Sequence, residues 1–279
     1  MTAINSESTM PNDLAIKVRN MTFELDKILA TDWADNDPFL TAFFNAMSIS
    51  FPSGERNFID SVRTYEDRIT DPKLASEVKD FYQQEAIHSR EHRKYNRLLC
   101  QKRGYDLATL ERVFLNRLKS TKKNPRFTPR VNLAATVSAE HFTATFGQNL
   151  LEGRLIKNMP QPIAELWQWH SLEELEHKSV AFDIYHQIGG SYEMRARVMR
   201  LTVFVLFKDT FSVAAKMLHH DKQLWKWKTF KSFSKFLFSK DGFIRAHIPA
   251  YKAFFQQDFH PWDMDNRSLL KSWQDQYTA

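Results

Sequence analysis

Two Glu-x-x-His spacings set the chemical question. EAIH places Glu85 and His88 three residues apart, and ELEH places Glu174 and His177 at the same interval. Residues three apart on a helix share a face, so a carboxylate and an imidazole there can bind one metal ion or two neighbouring ions. One such pair means little in a chain with this much Glu and His. The next level of spacing says more. Glu55 precedes Glu85 by 30 positions, and Glu140 precedes Glu174 by 34. Two antiparallel helices joined by a short loop would bring residues at such separations to similar heights. The chain thus reads twice as a helix with Glu followed by a helix with Glu-x-x-His. That is the ligand set of a dinuclear carboxylate site inside a four-helix bundle.

The residue types suit that chemistry. Four carboxylates offset the charge of two divalent ions and can bridge them. Two imidazoles suit Fe, Mn or Zn, and the absence of thiolates excludes a sulfur cluster. Four carboxylates buried without a cation would carry a heavy cost in repulsion and desolvation. His170 extends the second pair to i, i+4, i+7 along one face, a natural seventh ligand, and His92 is the corresponding candidate seven residues beyond Glu85. Either histidine could instead orient a ligand or face solvent. Glu91, Glu173 and Glu176 point off these faces and are expected to be solvated. Glu55 is the least secure member, because a helix start at Ser53 would give it a capping or dipole role.

The elements that must carry these residues are helices. Only 7 Gly and 10 Pro occur in 279 residues, which favours long uninterrupted elements. A helix is expected after Asn36-Asp37-Pro38, with Phe39, Phe43, Phe44 and Met47 inward. A fresh one is expected from Ser53 through Phe58, Ile59, Val62, Tyr65 and Ile69. Further helices are expected from Asp71-Pro72 to Gly104, over 106–120, from Val131 to about Ile156, and from Pro162 to Ile188 ahead of Gly189-Gly190. STKKNPRFTPR reads as a loop. No segment reads as a strand, so the fold class is all-α. Residues 1–35 read as a flexible lead, 36–260 as a helical metal-binding domain with a C-terminal helical extension, and 261–279 as a tail.

Composition narrows the remaining classes. A 43% hydrophobic content with 23 Phe supports a substantial, Phe-rich core or pocket. The single cysteine, Cys100, forms no internal disulfide; it reads as a small buried hydrophobe in a protein of a reducing, cytoplasmic setting. The polar start MTAINSESTMPNDL does not resemble a secretory signal. LTVFVLFKDTFSVAAKML at 201–218 is interrupted by Lys208 and Asp209, which favours a buried helix over a membrane-facing one. The net charge is +6, concentrated late in the chain. WKWKTFKSFSKFLFSK at 225–240 alternates Lys with aromatics. The stretch 225–255 could lie on an anionic membrane surface or meet an acidic partner, or it could be a solvated basic face with its aromatics turned inward. Nothing beyond charge suggests nucleic acid.

FPSGE, EAIHSREH, AEHFTATF and WHSLEELEHKSVAFD together resemble the bacterial family of predicted metal-dependent hydrolases, of the ferritin-like superfamily, over about residues 35–255. That resemblance implies a ferritin-like four-helix bundle core with additional C-terminal helices. The H-x-x-x-E-x-x-H of residues 170–177 is also similar to the pattern of di-iron arylamine N-oxygenases, which implies His170 as a third imidazole ligand. The leading expectation is a site of two metal ions, Fe first with Mn or Zn as alternatives, held by Glu55, Glu85, His88, Glu140, His170, Glu174 and His177. It would activate O2 to oxidise a hydrophobic small molecule, with an electron donor as partner. The alternative is hydrolysis by a metal-activated water. A homodimer is compatible with both.

Overall fold

The computed structural model describes residues 8–277, so the first seven residues of the expected lead and the last two of the tail lie outside the described residues. Helices dominate, and no strand occurs among the described residues. The all-α expectation holds.

Four helices surround the candidate residues. The first, α1 (Pro38–Arg63), is capped by Asp37, whose carboxylate accepts from the amides of Phe39 and Leu40. It runs straight through the point where a new helix was expected. Ser53 is not an N-cap, and its hydroxyl donates instead to the Ser50 carbonyl. Pro52 sits inside α1. Having no N–H, it leaves the Ser48 carbonyl without its helical partner. The side-chain amide of Asn96 donates to that carbonyl at 2.9 Å, which lets the helix continue. Glu55 therefore lies in a helix interior, with no free helix start to serve.

Asp71 caps α2 (Pro72–Arg103), which ends at Gly104 in the left-handed conformation, φ 73°. Next come α3 (Leu107–Lys123) and α4 (Pro129–Leu151). Gly153, also at positive φ, follows the end of α4, five residues short of the expected Ile156. The expected helix 162–188 is two, α5 (Gln161–Glu176) and α6 (Val180–Gln187). The break falls at His177–Ser179. There the buried Lys178 ammonium reaches away to the Met264 carbonyl and to Asn266, and lies 4.0 Å from the centre of the Trp262 ring.

Pairings across the helices fix their directions. Asn45 meets Tyr95, Ser48 meets His92, and Pro52 meets Ser89, so α1 and α2 are antiparallel. His92 meets His170 and His88 meets Glu173, so α2 and α5 are antiparallel too. Phe44 with Phe146 and Ser61 with Thr136 give the same sense for α1 and α4. A Cβ added at Gly147 would lie 2.9 Å from the Ser171 carbonyl oxygen, so α4 and α5 touch backbone to backbone there. The start of α4 lies beside the end of α1, where Asn57 bonds Asn132. The chain must therefore travel back along the bundle between α2 and α4, and α3 makes that return.

Outside these lie α7 (Tyr192–His220), α8 (Trp227–Phe238), α9 (Phe243–Ala253) and α10 (Arg267–Gln274). From Asp209 onward α7 buries one face, with Val213, Ala214, Met217 and Leu218, but Leu201 and Phe204 on its first half are exposed. The expected buried helix over 201–218 is thus only half buried. No described helix is long and apolar enough to cross a membrane.

The expected flexible lead is, from residue 8 to 35, a strap packed along the bundle. Met10, Ile16, Phe23, Leu25, Leu29 and Trp33 are buried. Its ends are pinned at opposite ends of α2, by Ser8 on Asp71 and by the Leu29 carbonyl on Arg103. Cys100 is buried as expected, and that burial pushes its thiol up to about 12.

Candidate metal centre

All seven expected residues meet in the middle of the bundle. α1 brings Glu55, α2 brings Glu85 and His88, α4 brings Glu140, and α5 with its terminal residue brings His170, Glu174 and His177. Every one of them is buried. Their donor atoms form three overlapping groups: Glu55, His88 and His170; Glu85, Glu140 and His177; Glu85, His88 and Glu174. Within each group the donor atoms lie within 4.8 Å of one another. Two ligand bonds of about 2.0–2.2 Å placed back to back span nearly that distance, so each group can enclose an ion. His177 Nε2 lies 3.3 Å from Glu140, 3.4 Å from Glu85 and 3.8 Å from Glu174.

The buried atoms without a protein partner are concentrated here. Both carboxylate oxygens of Glu55, Glu85 and Glu140, one of Glu174, Nδ1 of His88 and Nε2 of His177 have no hydrogen-bond partner. Native interiors leave only a few such atoms, scattered, and each costs about 1–3 kcal/mol or more. Nine of them converging on one volume fit a cation that the protein is built to receive.

The charge balance agrees. Burial, then the neighbouring carboxylates, hold Glu55 and Glu85 well above the usual carboxyl range. Burial raises Glu140 to about 7, with the His177 ring pulling the other way. His177 is carried up to about 10 although burial opposes its charge, because Glu140 and Glu174 lie against it. Burial also opposes ionisation of Glu174, yet the His170 ring bonded to it and the nearby His177 ring hold it well below the usual value. Without a metal, protons must take the place of the missing positive charge.

Around the donors, hydrogen bonds fix which nitrogen each imidazole offers. His88 Nε2 bonds Glu173 at 2.9 Å, leaving Nδ1 for the cluster. His177 Nδ1 donates to the Gln84 side-chain oxygen at 2.8 Å, leaving Nε2. Gln84 in turn donates to Glu176 at 2.9 Å. Burying the unbonded nitrogen while a carboxylate or amide holds the other is how metal-binding histidines are oriented.

His170 is oriented by a longer chain that begins at Pro52. The Ser48 carbonyl freed by Pro52 takes the Asn96 N–H, so the Asn96 oxygen faces the Ser48 hydroxyl, which donates to it at 2.7 Å. That hydroxyl must then accept from His92 Nδ1–H, 2.8 Å away. Burial and the neighbouring His170 hold His92 well below the ordinary histidine value, so it is neutral and its Nε2 is an acceptor. It accepts His170 Nδ1–H at 2.8 Å. His170 Nε2 is left facing a Glu174 oxygen at 3.0 Å, a contact that needs a proton or a metal ion between two lone pairs. His92 itself is in none of the three donor groups. It positions His170 instead of joining it.

Three residues expected in solvent are buried: Glu91, Glu173 and Glu176. The strap is the reason. Arg19 lays its guanidinium on Glu173 at 3.2 Å and on Glu176 at 2.8 Å, and the amides of Arg19 and Lys17 donate to the same two carboxylates. Gln274 on α10 adds a further bond to Glu176 at 2.6 Å. Arg90 covers Glu91. The apolar run from Met10 to Trp33 was the one signal in the sequence that the lead is packed.

A cavity of about 340 Å³ opens beside the cluster. Glu55, His170 and Glu174 line it, and its other walls are largely apolar, including Phe43, Phe51, Phe58, Phe142 and Val205. Glu85, His88, Glu140 and His177 do not line it. The site thus has one open side.

A family described as predicted metal-dependent hydrolase matches residues 17–265, and the chain belongs to that family. No curated protein and no solved structure matches the chain.

Proposed function

From membership of the predicted metal-dependent hydrolase family, we propose that this protein is an enzyme that hydrolyses a hydrophobic substrate at a pair of divalent metal ions. The nine unpartnered donor atoms carry the reading. Glu85, His88, Glu140 and His177 would hold the pair away from the cavity, and Glu55, His170 and Glu174, which line the cavity, would hold it on that side. When bound, such ions, Zn or Mn for this chemistry, would supply a water that ionises near neutral pH and would polarise a scissile carbonyl.

The chain's own residues do the rest. The Phe-lined walls bind the apolar part of the substrate and exclude bulk water. Glu55 lies on the cavity wall, and its carboxyl is held well above the usual range by burial and by Glu174. With the cations bound Glu55 would be an ionised ligand, and its place on the cavity wall would set it against the substrate. His92 keeps the His170 ring turned so that Nε2, not Nδ1, faces Glu174.

A second reading is O2 activation by two irons. The balance of donors favours it, with four carboxylates and three imidazoles in an apolar surround, as does the likeness of residues 170–177 to the arylamine N-oxygenase pattern. A ferritin-like bundle is the fold on which either would be built. The test is reconstitution of metal-free protein with Zn, Mn or Fe(II). Cleavage of apolar esters or amides under nitrogen, lost in Glu55→Gln, supports hydrolysis. O2 uptake by the Fe(II) form, with no cleavage by any form, overturns it in favour of oxidation.

A further inference from the structure

α8 is a surface helix with two apolar faces. One is buried: Phe233 packs on Phe39 and Phe211, and Phe236 packs on Phe43 and Phe243. That face is enough to hold the helix to the bundle. The other carries Trp227, Phe230 and Phe238, which are 73%, 55% and 61% exposed. Their positions, i, i+3 and i+11, fall along one stripe. Trp227 and Phe230 stack at 5.4 Å, so the aromatics support one another without any cover. Lys231 and Lys235 line the same groove as these three rings. Just before the helix, Trp225 is 88% exposed.

Apolar exposure continues onto neighbouring elements. Ile244 and Ile248 of α9 share a second groove with Val203 and Phe207 of α7. Both isoleucines are also partly open to solvent. The charge around this face has one sign. Residues 222–252 hold eight Lys and Arg against one acidic residue, Asp241. An acid-free lysine flank beside uncovered aromatics matches a surface that is anionic outside and apolar beneath, with tryptophans at the boundary.

We propose that α8 and the Trp225 turn dock this protein onto an anionic lipid bilayer, with Trp225, Trp227, Phe230 and Phe238 entering the interface and Lys231 and Lys235 meeting lipid phosphates. The proposal does not depend on the chemistry of the metal centre. It is tested with the full chain by flotation on phosphatidylcholine vesicles with and without phosphatidylglycerol.

Flotation with the anionic vesicles only, weakened by added salt, is the expected result. Lys231→Glu and Lys235→Glu should each weaken partition by about fivefold or more. Paired Trp227→Ser and Phe230→Ser should weaken it at least about tenfold, since two interfacial rings are lost. All four side chains are exposed, and unchanged circular dichroism would confirm that these variants fold. Bromine-labelled lipids should quench the intact protein's fluorescence more than that of Trp227→Phe. Absence of flotation on anionic vesicles, equal partition of the paired serine variant, or equal quenching would overturn the proposal. So would a concentration-dependent dimer that the paired serine variant abolishes, because the face would then belong to a second copy.

Discussion

At the level of single residues, the candidate ligands were legible because metal binding imposes a period. A carboxylate and an imidazole must share a helix face, and that requirement appears as Glu-x-x-His twice. The support around them was not legible. Gln84, Glu173 and Glu176 bear on the site only through partners far away in sequence, and nothing local distinguishes a buried Glu176 from a solvated one. His92 shows the same limit. Its spacing from Glu85 suggested a ligand, whereas its hydrogen bonds to Ser48 and His170 make it a positioning residue. His92→Phe keeps an aromatic ring among Phe51 and Trp167 but removes the acceptor for His170 Nδ1–H. Metal affinity should fall by about 10- to 100-fold, with little change in melting temperature of the metal-free protein. Competition with a chromophoric chelator measures the first and calorimetry the second. An unchanged affinity would show that the chain of bonds from Pro52 to His170 has no bearing on the metal.

At the level of elements, helix type and most boundaries followed from Pro, Asp and Gly punctuation. Two exceptions have physical causes. Pro52 looked like a stop because its own helical bond is missing, but Asn96 on another helix satisfies the carbonyl it leaves open. The break at His177 was invisible because the apolar pattern continues through it, while Lys178 is drawn out by Met264 and Asn266. Closeness of helices is the second lesson at this scale. Gly147 allows α4 and α5 to touch, and a methyl group there would come within 2.9–3.1 Å of Ser171 atoms, two of them backbone. Gly147→Ala should cost about 1–3 kcal/mol by forcing the helices apart. Because Glu140 and Glu174 ride on those two helices, metal affinity should fall with stability. Urea melts of the metal-free and metal-loaded variant check both. Loss of stability with metal affinity intact would mean that the helix spacing does not set the site.

At the level of the whole molecule, the strap covers the bundle along α2 and α5, on the side where Glu173 and Glu176 lie. It was read as flexible because it has no helical period; its apolar residues are spaced for a groove. Arg19 is its central contact, since its guanidinium is the only cation bonded to both Glu173 and Glu176 among the described ion pairs. Arg19→Ala leaves two carboxylates buried without their charge partner and should destabilise the protein by about 3–5 kcal/mol. Arg19→Lys, which cannot make the forked contact, should recover only part of that loss. Thermal melts of the two variants decide it. Equal stability of Arg19→Ala and the parent would show that Arg19 does not hold the strap on the bundle.

The account stands on a cation at the centre of the bundle. The most direct measurement is elemental analysis of protein purified without added metal, joined to anomalous diffraction from the same preparation at the absorption edge of the metal found. The account predicts two ions per chain, one within bonding distance of Glu85, Glu140 and His177, the other within bonding distance of Glu55 and His170. A folded protein with no anomalous peak among these residues, even after incubation with Zn, Mn and Fe(II), would contradict it.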